Sequence, residues 1–241
     1  MEHIRQDWIV SDIPDGTRKY TREELTDGVV LDGVFSPEKI RLVEKFLNHG
    51  ALYRDVFRLQ STEEQREVSR QAWHEAPSSD RFCFREFYTS PKPGYEEGKE
   101  YRAFDEFGRF LEGPLFARFL HGLTGELYVS KIMGWVRHRQ GHFLVAHDDL
   151  PYGKMLSLTL YLASGWHENF GGELTMFRKK GEIQRIAPLQ NRLVLLKPAE
   201  GYEHKVERLT EEAGDWERHC VVVRCYDPLK NLSPRKVMKT G

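Results

Sequence analysis

Cysteine is scarce in this chain of 241 residues, and the three present, Cys83, Cys220 and Cys225, form no C-x-x-C pair. An odd, sparse set of this kind argues against a disulfide framework and against a zinc ribbon. Cys220 and Cys225 lie in or beside a run of valines, which indicates side chains that pack in a core.

The sequence also lacks an excess of charge of either sign and a long apolar run. Lys and Arg number 36 against 37 Asp and Glu, so the net charge of -1 favours neither nucleic acid nor an anionic membrane as a partner. No run of 18 apolar residues occurs, and the polar start MEHIRQDWIV has no signal-peptide core. We therefore expect a cytoplasmic protein, monomeric or homodimeric, without a membrane or nucleic-acid partner.

The composition, with 39% hydrophobic and 12% aromatic residues, is sufficient to bury a core. One helix is predicted over SPEKIRLVEKFLNHG, residues 36–50. Ser36 suits the N-cap, Pro37 suits the first turn, and Gly50 suits the end of the helix.

Other parts of the first half have weaker patterns. Residues 101–123 carry apolar side chains at helical spacing, and Gly113-Pro114 is expected to divide them into two helices. Residues 60–76 suit a surface helix or a loop, and residues 81–89 suit a strand.

From about residue 126 the pattern changes to short apolar runs separated by turn residues, which predicts a β-sandwich or barrel rather than a βαβ fold. The candidate strands are 126–139, 142–149, 155–163, 173–178, 182–188, 192–198, 204–209 and 218–227. We expect a single domain over 1–241 that is mainly β with flanking helices. It would comprise a helical and mixed support region over about 1–125, a β-rich core over about 126–227 and a C-terminal tail over 228–241.

The stretch HFLVAHDD places one histidine and two aspartates at the end of an apolar run. Side chains at positions i and i+2 of a strand share a face, so His147 pairs with Asp149 while Asp148 turns away. A second histidine, His204, lies in a later candidate strand. Two imidazoles and one carboxylate form the facial triad of non-haem Fe(II) oxygenases, which leaves coordination positions open. The alternative is a polar strand end that binds no metal.

A buried arginine is predicted at Arg218, which begins the apolar run RHCVVVRCY 14 residues after His204. A buried strand that starts with arginine needs an anionic partner, and a bound dicarboxylate would fit its bidentate geometry. Arg224 lies on the same face if the strand is regular, so the choice between the two arginines stays open. A surface position beside the strand is the alternative for Arg218.

Taken in order, GHFLVAHDD, SLTLYLASGW, FGGELTMF, NRLVLLKP, EHKVERL and RHCVVV resemble the 2-oxoglutarate/Fe(II)-dependent dioxygenases of the prolyl 4-hydroxylase-like branch. The resemblance covers roughly residues 128–227. It implies a double-stranded β-helix core, a jelly roll of cupin-like shape, with helices packed outside. It also implies an oxidoreductase that uses Fe(II), 2-oxoglutarate and O₂.

The resemblance further implies roles for individual residues. His147, Asp149 and His204 match the iron ligands of the family, and Arg218 matches the basic residue that holds the C5 carboxylate of 2-oxoglutarate. The carboxylate of Asp149 also favours hydroxylation, because the halogenases of the superfamily lack it to make room for chloride.

Four more residues are candidates for the surroundings of the cosubstrate. Tyr161 matches a tyrosine that often joins the C5 carboxylate, and Thr159 and Ser157 share its strand face. Many relatives have a tyrosine nine residues before the first histidine of the motif, where this chain has His138. Simple packing is the alternative for Tyr161.

We therefore expect an enzyme that hydroxylates an unactivated C–H bond of a free amino acid or small metabolite. A protein or peptidyl hydroxylase of the prolyl type is the alternative. A non-catalytic jelly-roll binding module and a cupin-type metalloenzyme are alternatives of other classes. Arg137, Arg139 and Arg224 are candidates for contact with an anionic group of the substrate, although a surface position is also open to Arg137 and Arg139.

Overall fold

The computed structural model describes residues 8–10, 20–60, 65–150, 156–178, 181 and 183–228, which form five α-helices and twelve strands. The helices are α1 (Arg22–Asp27), α2 (Pro37–His49), α3 (Arg70–Glu75), α4 (Lys99–Leu111) and α5 (Pro114–Thr124). The strands are β1 (Val29–Asp32), β2 (Ala51–Gln60), β3 (Gln65–Val68), β4 (Arg81–Pro91), β5 (Val129–His138), β6 (Phe143–His147), β7 (Leu156–Tyr161), β8 (Leu174–Phe177), β9 (Ile183–Ile186), β10 (Arg192–Leu196), β11 (Glu203–Val206) and β12 (Arg218–Tyr226).

The strands join edge to edge in one antiparallel sheet that curls into a half-barrel. Along the sheet the order is β1-β10-β7-β12-β5-β4-β6-β11-β8-β9, and β2 pairs with both β3 and β4. Most neighbouring strands in this order are far apart in sequence, as they are in a jelly roll. The predicted fold class, mainly β with flanking helices around a double-stranded β-helix, is confirmed.

The sheet separates two cores because each strand alternates its faces. The leucines of β7 and the valines Val221 and Val223 of β12 lie in the core between the sheet and the helices. Tyr161 and Cys220 lie in a second core inside the curl. On β7 and β12, one face therefore packs against the helices, and the other face points into the curl, where it can line a cavity.

The predicted helix over 36–50 is confirmed as α2. The side chain of Ser36 accepts a hydrogen bond from the backbone N–H of Lys39, and Pro37 opens the first turn. The predicted division of 101–123 is also confirmed, because α4 ends at Leu111 and α5 begins at Pro114. The buried faces of all three helices cover the outer face of the sheet.

Strand β2 has no counterpart in the sequence prediction, although it is ten residues long and pairs with β4 along most of its length. Charged residues at Arg54, Asp55 and Arg58 interrupt its apolar positions, so the alternation is hidden. The segment 60–76, predicted as a surface helix or loop, instead contains both β3, which pairs with β2 as a hairpin, and α3.

The predicted C-terminal tail over 228–241 lies outside the described residues except for Pro228. None of the helices in the described ranges is long and apolar enough to cross a membrane. The division of the chain into a support region, a core and a tail stays a prediction.

Candidate active site

Three side chains with metal-binding atoms converge at the end of β6. An imidazole nitrogen from each of His147 and His204 and a carboxylate oxygen of Asp149 all lie within 4.8 Å of one another. Over the part of the chain that the structure describes, this is the one group of three or more such residues close enough to share an ion. The structure thus brings together the three predicted metal ligands in an arrangement that could hold iron.

The sheet positions the two histidines. His204 lies opposite His147 in the ladder between β11 and β6, and their ring centroids are 4.3 Å apart. Nδ1 of His147 lies 3.0 Å from the carbonyl oxygen of Val145. When Nδ1 donates this hydrogen bond, Nε2 carries the lone pair that a metal ion needs.

Asp149 follows the strand rather than lying on it, because β6 ends at His147. Its carboxylate is buried, and Oδ2 accepts a 2.8 Å hydrogen bond from the hydroxyl of Ser157 on β7. Nη2 of Arg224 lies 3.9 Å from Oδ1 of the same carboxylate. Asp148 is half-buried and does not belong to the cluster.

A cavity of about 310 Å³ is lined by all three residues of the cluster. Apolar side chains from both sides of the curled sheet form most of its wall. His138, Thr159 and Arg218, which the sequence predicts to bind the cosubstrate, line the same cavity. An apolar wall with a few converging polar groups is typical of a site for a small molecule.

Arg218 is only 1% exposed, which is rare for arginine unless an anion is bound. Its Nη1 lies 3.2 Å from Nδ1 of His138 and 3.4 Å from Sγ of Cys220. Its Cζ lies 4.9 Å from the centre of the Tyr161 ring. No acidic side chain among the described residues forms an ion pair with Arg218, so its charge has no internal counterpart there.

Three buried polar atoms at this place have no hydrogen-bond partner among the described residues: Nε of Arg218, Nε2 of His138 and the hydroxyl of Tyr161. Because arginine can only donate, Nδ1 of His138 accepts and Nε2 carries the proton. Burial, and then the charge of Arg218, hold the pKa of His138 well below its usual value, so the ring is neutral. Burial raises the pKa of Tyr161 to about 12, so its hydroxyl stays protonated. Nε of Arg218 and Nε2 of His138 are donors on residues that line the cavity, and a carboxylate bound there would satisfy them.

Tyr161 differs from the other predicted cosubstrate residues in its position. It is fully buried in the inner core behind Arg218 and is not part of the cavity wall, whereas Thr159 and Ser157 on the same strand face are. Its ring therefore supports Arg218 from behind.

The three arginines predicted to contact the substrate separate into two groups. Arg137 and Arg139 both form ion pairs with the buried carboxylate of Glu86, and Arg137 also pairs with Glu217 at 3.0 Å. Neither lines the cavity, so their predicted contact with the substrate is not supported by their positions. Arg224 does line the cavity.

Two further arginines line the cavity without having been predicted from the sequence, Arg58 on β2 and Arg85 on β4. Arg85 lies within a predicted strand, 81–89, but the alternation of apolar and polar residues along that strand does not indicate that it lines a cavity. Arg58 lies on the strand that the sequence pattern does not reveal.

Comparison with known proteins identifies the core of the chain. The sequence model of the 2OG-Fe(II) oxygenase superfamily matches residues 133–223, the segment that contains the three clustered residues and Arg218. The chain carries a 2OG-Fe(II) oxygenase domain. This oxygenase is an enzyme whose cofactors are Fe(II) and 2-oxoglutarate, with O₂ as co-reactant. No match was found among curated protein sequences.

Solved structures support the fold of this oxygenase. One is a prolyl hydroxylase from Trichoplax adhaerens in complex with a hypoxia inducible factor oxygen degradation domain peptide fragment, with 14% identity and a TM-score of 0.55 over 87% of this chain and 88% of that chain. Another is an oxidoreductase of the 2OG-Fe(II) oxygenase family from Burkholderia pseudomallei, with 13% identity and a TM-score of 0.56 over 85% of this chain and 86% of that chain.

The residues present fit both cofactors of the oxygenase. Two imidazoles and one carboxylate are the donor set of a mononuclear Fe(II) site with open positions. The orphaned donors of Arg218 and His138, which line the cavity, suit a carboxylate in the interior.

Proposed function

We propose that this oxygenase hydroxylates an unactivated C–H bond of a free amino acid or another small metabolite. The observation that supports the proposal most directly is the position of the His147, Asp149 and His204 cluster in the same cavity as the buried Arg218. A metal site and a carboxylate site in one cavity are what a 2-oxoglutarate-dependent reaction requires.

In this proposal His147, Asp149 and His204 hold Fe(II) on one face, so that cosubstrate and O₂ have positions to occupy. Bound iron with 2-oxoglutarate supplies the oxidising chemistry that amino-acid side chains cannot provide. Ser157 holds the carboxylate of Asp149 in place. The apolar wall of the cavity excludes water from the reacting groups.

Arg218 is the proposed anchor for the C5 carboxylate of 2-oxoglutarate. The guanidinium offers paired donors, and Nε2 of His138 adds a third. Thr159 lines the wall nearby, on the strand that pairs with β12. Arg224 is six residues along β12 from Arg218, about 20 Å for an extended strand, and lies beside Asp149 instead.

A small substrate is favoured by the size of the cavity, about 310 Å³, which lies in the range for small-molecule sites. A peptidyl substrate is the second candidate, because the Trichoplax adhaerens enzyme of similar fold was solved with a peptide fragment. A substrate screen that includes free amino acids, metabolites and proline-containing peptides, with products detected as a mass gain of one oxygen atom, separates the two candidates.

We also propose that the chain forms one domain and acts in the cytoplasm. Buried side chains of the helical region, such as Phe107, share a core with Val221 of the sheet, which supports a single folding unit.

The proposed reaction is tested by succinate formation from 2-oxoglutarate in the presence of Fe(II) and O₂. We expect activity in the wild type and its loss in His147→Ala and Asp149→Asn. Asp148→Asn is the matched control, because it removes the neighbouring carboxylate and leaves the cluster intact. Equal turnover in all variants, or succinate formation that does not require iron, would falsify the metal assignment.

A further inference from the structure

The cavity wall carries more positive charge than the proposed cofactors need. Arg58, Arg85, Arg218 and Arg224 all line it, whereas Asp149 is the one acidic residue among the described lining residues. Three of these arginines lie outside the segment 133–223 that matches the superfamily, namely Arg58, Arg85 and Arg224.

Charge counting shows that Arg58 and Arg85 are in excess. Fe(II) and Arg218 together bring three positive charges, and 2-oxoglutarate and Asp149 together bring three negative charges. The centre with both cofactors bound is therefore neutral without Arg58, Arg85 and Arg224. The guanidinium groups of Arg58 and Arg85, on a largely apolar wall, then need another anion.

Arg58 and Arg85 have no ion-pair partner among the described acidic side chains. Nε of Arg85 is buried without a hydrogen-bond partner, and its Cζ lies 4.8 Å from the centre of the Phe87 ring, another residue of the wall. Burial, together with the charges of Arg58 and Arg224, lowers the pKa of Arg85. The guanidinium groups thus repel one another across a space that a negative group would stabilise.

Three other arginines, on β2 and at the end of β5, are arranged differently. Arg54 on β2 pairs with Glu67 of the hairpin, and Arg137 and Arg139 share Glu86 of β4. Acids therefore neutralise these three arginines, which lie outside the cavity, whereas Arg58 and Arg85 line it without an ion-pair partner among the described acidic side chains.

We infer that Arg58 and Arg85, with Arg224 beside them, bind a carboxylate or phosphate group of the substrate, so that the enzyme selects an anionic small molecule. This inference rests on the proposed function and narrows its substrate class. Guanidinium groups bind both kinds of oxyanion in bidentate fashion, so the chemistry is shared.

Titration calorimetry on the full chain at low ionic strength tests the inference, with inorganic phosphate and acetate as separate probes. Each probe is titrated in the absence and in the presence of saturating 2-oxoglutarate with Zn(II), which supports no turnover. Arg58→Gln and Arg85→Gln are compared with Arg66→Gln, an exposed arginine of β3 that does not line the cavity.

We expect each cavity variant to bind the preferred probe at least about tenfold more weakly than wild type, and Arg66→Gln to bind it as wild type does. Saturating 2-oxoglutarate should leave this affinity unchanged. Tighter binding of phosphate than of acetate identifies a phosphorylated substrate, and the reverse order identifies a carboxylate.

Two results would overturn the inference. Equal probe affinity in all variants would show that the cluster binds no anion. Displacement of the probe by 2-oxoglutarate would assign the arginines to the cosubstrate instead. Both results are distinct from failure of the proposed function, which appears as the absence of iron-dependent succinate formation in the wild type.

Discussion

The hydroxyl of Ser157 donates a 2.8 Å hydrogen bond to Oδ2 of Asp149. Ser157 lies on β7, in the middle of the sheet, whereas Asp149 lies just beyond the end of β6. Ser157, on a well-packed strand, thus fixes the carboxylate of Asp149, which lies outside any strand. The other oxygen of this carboxylate, Oδ1, faces Arg224.

We expect Ser157→Ala to weaken metal binding about 10- to 100-fold, because a ligand without its orienting hydrogen bond must be ordered when the metal binds. Titration with Fe(II) under anaerobic conditions, or with Mn(II), measures this affinity. Ser164→Ala is the control, since Ser164 hydrogen bonds to Glu44 away from the cluster. Wild-type affinity in Ser157→Ala would mean that the hydrogen bond does not position the ligand.

The sequence predicts Asp149 rather than Asp148 as the metal ligand, but strand alternation is only part of the reason. Strand alternation pairs His147 with the residue two positions later. The strand ends at His147, and the hydrogen bond from Ser157 holds Asp149 beyond it. A contact between a residue just beyond β6 and a residue of β7 depends on how the sheet curls, which a local pattern does not encode.

Substitutions of Arg218 and of Arg224 are expected to differ in their effect on the KM for 2-oxoglutarate. Arg218→Lys should raise the KM for 2-oxoglutarate about 10- to 100-fold, because lysine cannot reproduce the paired donors beside His138. Arg224→Lys should change this KM by less than about threefold. Uncoupled succinate formation gives both values, and calorimetric Kd values check that they report binding. A larger change in Arg224→Lys than in Arg218→Lys would exchange the two assignments.

Of the arginines that line the cavity, some could be predicted from the sequence and others could not. Arg218 could be predicted because it opens an apolar run at a suitable distance after His204. Arg58 is far from both in sequence and reaches the cavity only because β2 pairs with β4, which in turn pairs with β5 and β6. Long-range pairing of this kind leaves no periodic signal in the chain, particularly where charged residues mask the alternation of β2.

We expect Arg85→Met to be more stable than wild type at low ionic strength. Burial and the neighbouring charges of Arg58 and Arg224 disfavour the charged form of Arg85, and its pKa is lowered accordingly. We expect the free energy of unfolding to rise by about 1 kcal/mol, which corresponds to an increase of about 2–4 °C in Tm for a chain of this size.

Thermal unfolding at increasing concentrations of NaCl measures this difference. The gain should shrink as salt screens the charges. Arg54→Met is the matched control, because Arg54 lies on β2 but pairs with Glu67 and has no such repulsion to relieve. A lower Tm for Arg85→Met than for wild type at low salt would show that the guanidinium stabilises the fold.

Asn191 is expected to be the most sensitive polar residue outside the cavity. It is buried at a positive φ of 62° just before β10. Its side-chain amide donates to the carbonyl oxygen of Phe35 at 2.7 Å and accepts from the N–H of Phe35 at 3.1 Å. Both backbone groups of a fully buried residue thus depend on one side chain.

Asn191→Ala should lower the free energy of unfolding by about 3 kcal/mol, because it leaves two buried backbone groups unsatisfied and places a Cβ-bearing residue at a positive φ without local support. Asn191→Gly should cost about 1 kcal/mol less, since glycine tolerates this φ although it also loses both hydrogen bonds. Urea unfolding curves give both values. Equal losses in the two variants would show that the hydrogen bonds to Phe35 alone decide the effect, and a loss below about 1 kcal/mol in Asn191→Ala would mean that neither contribution is important.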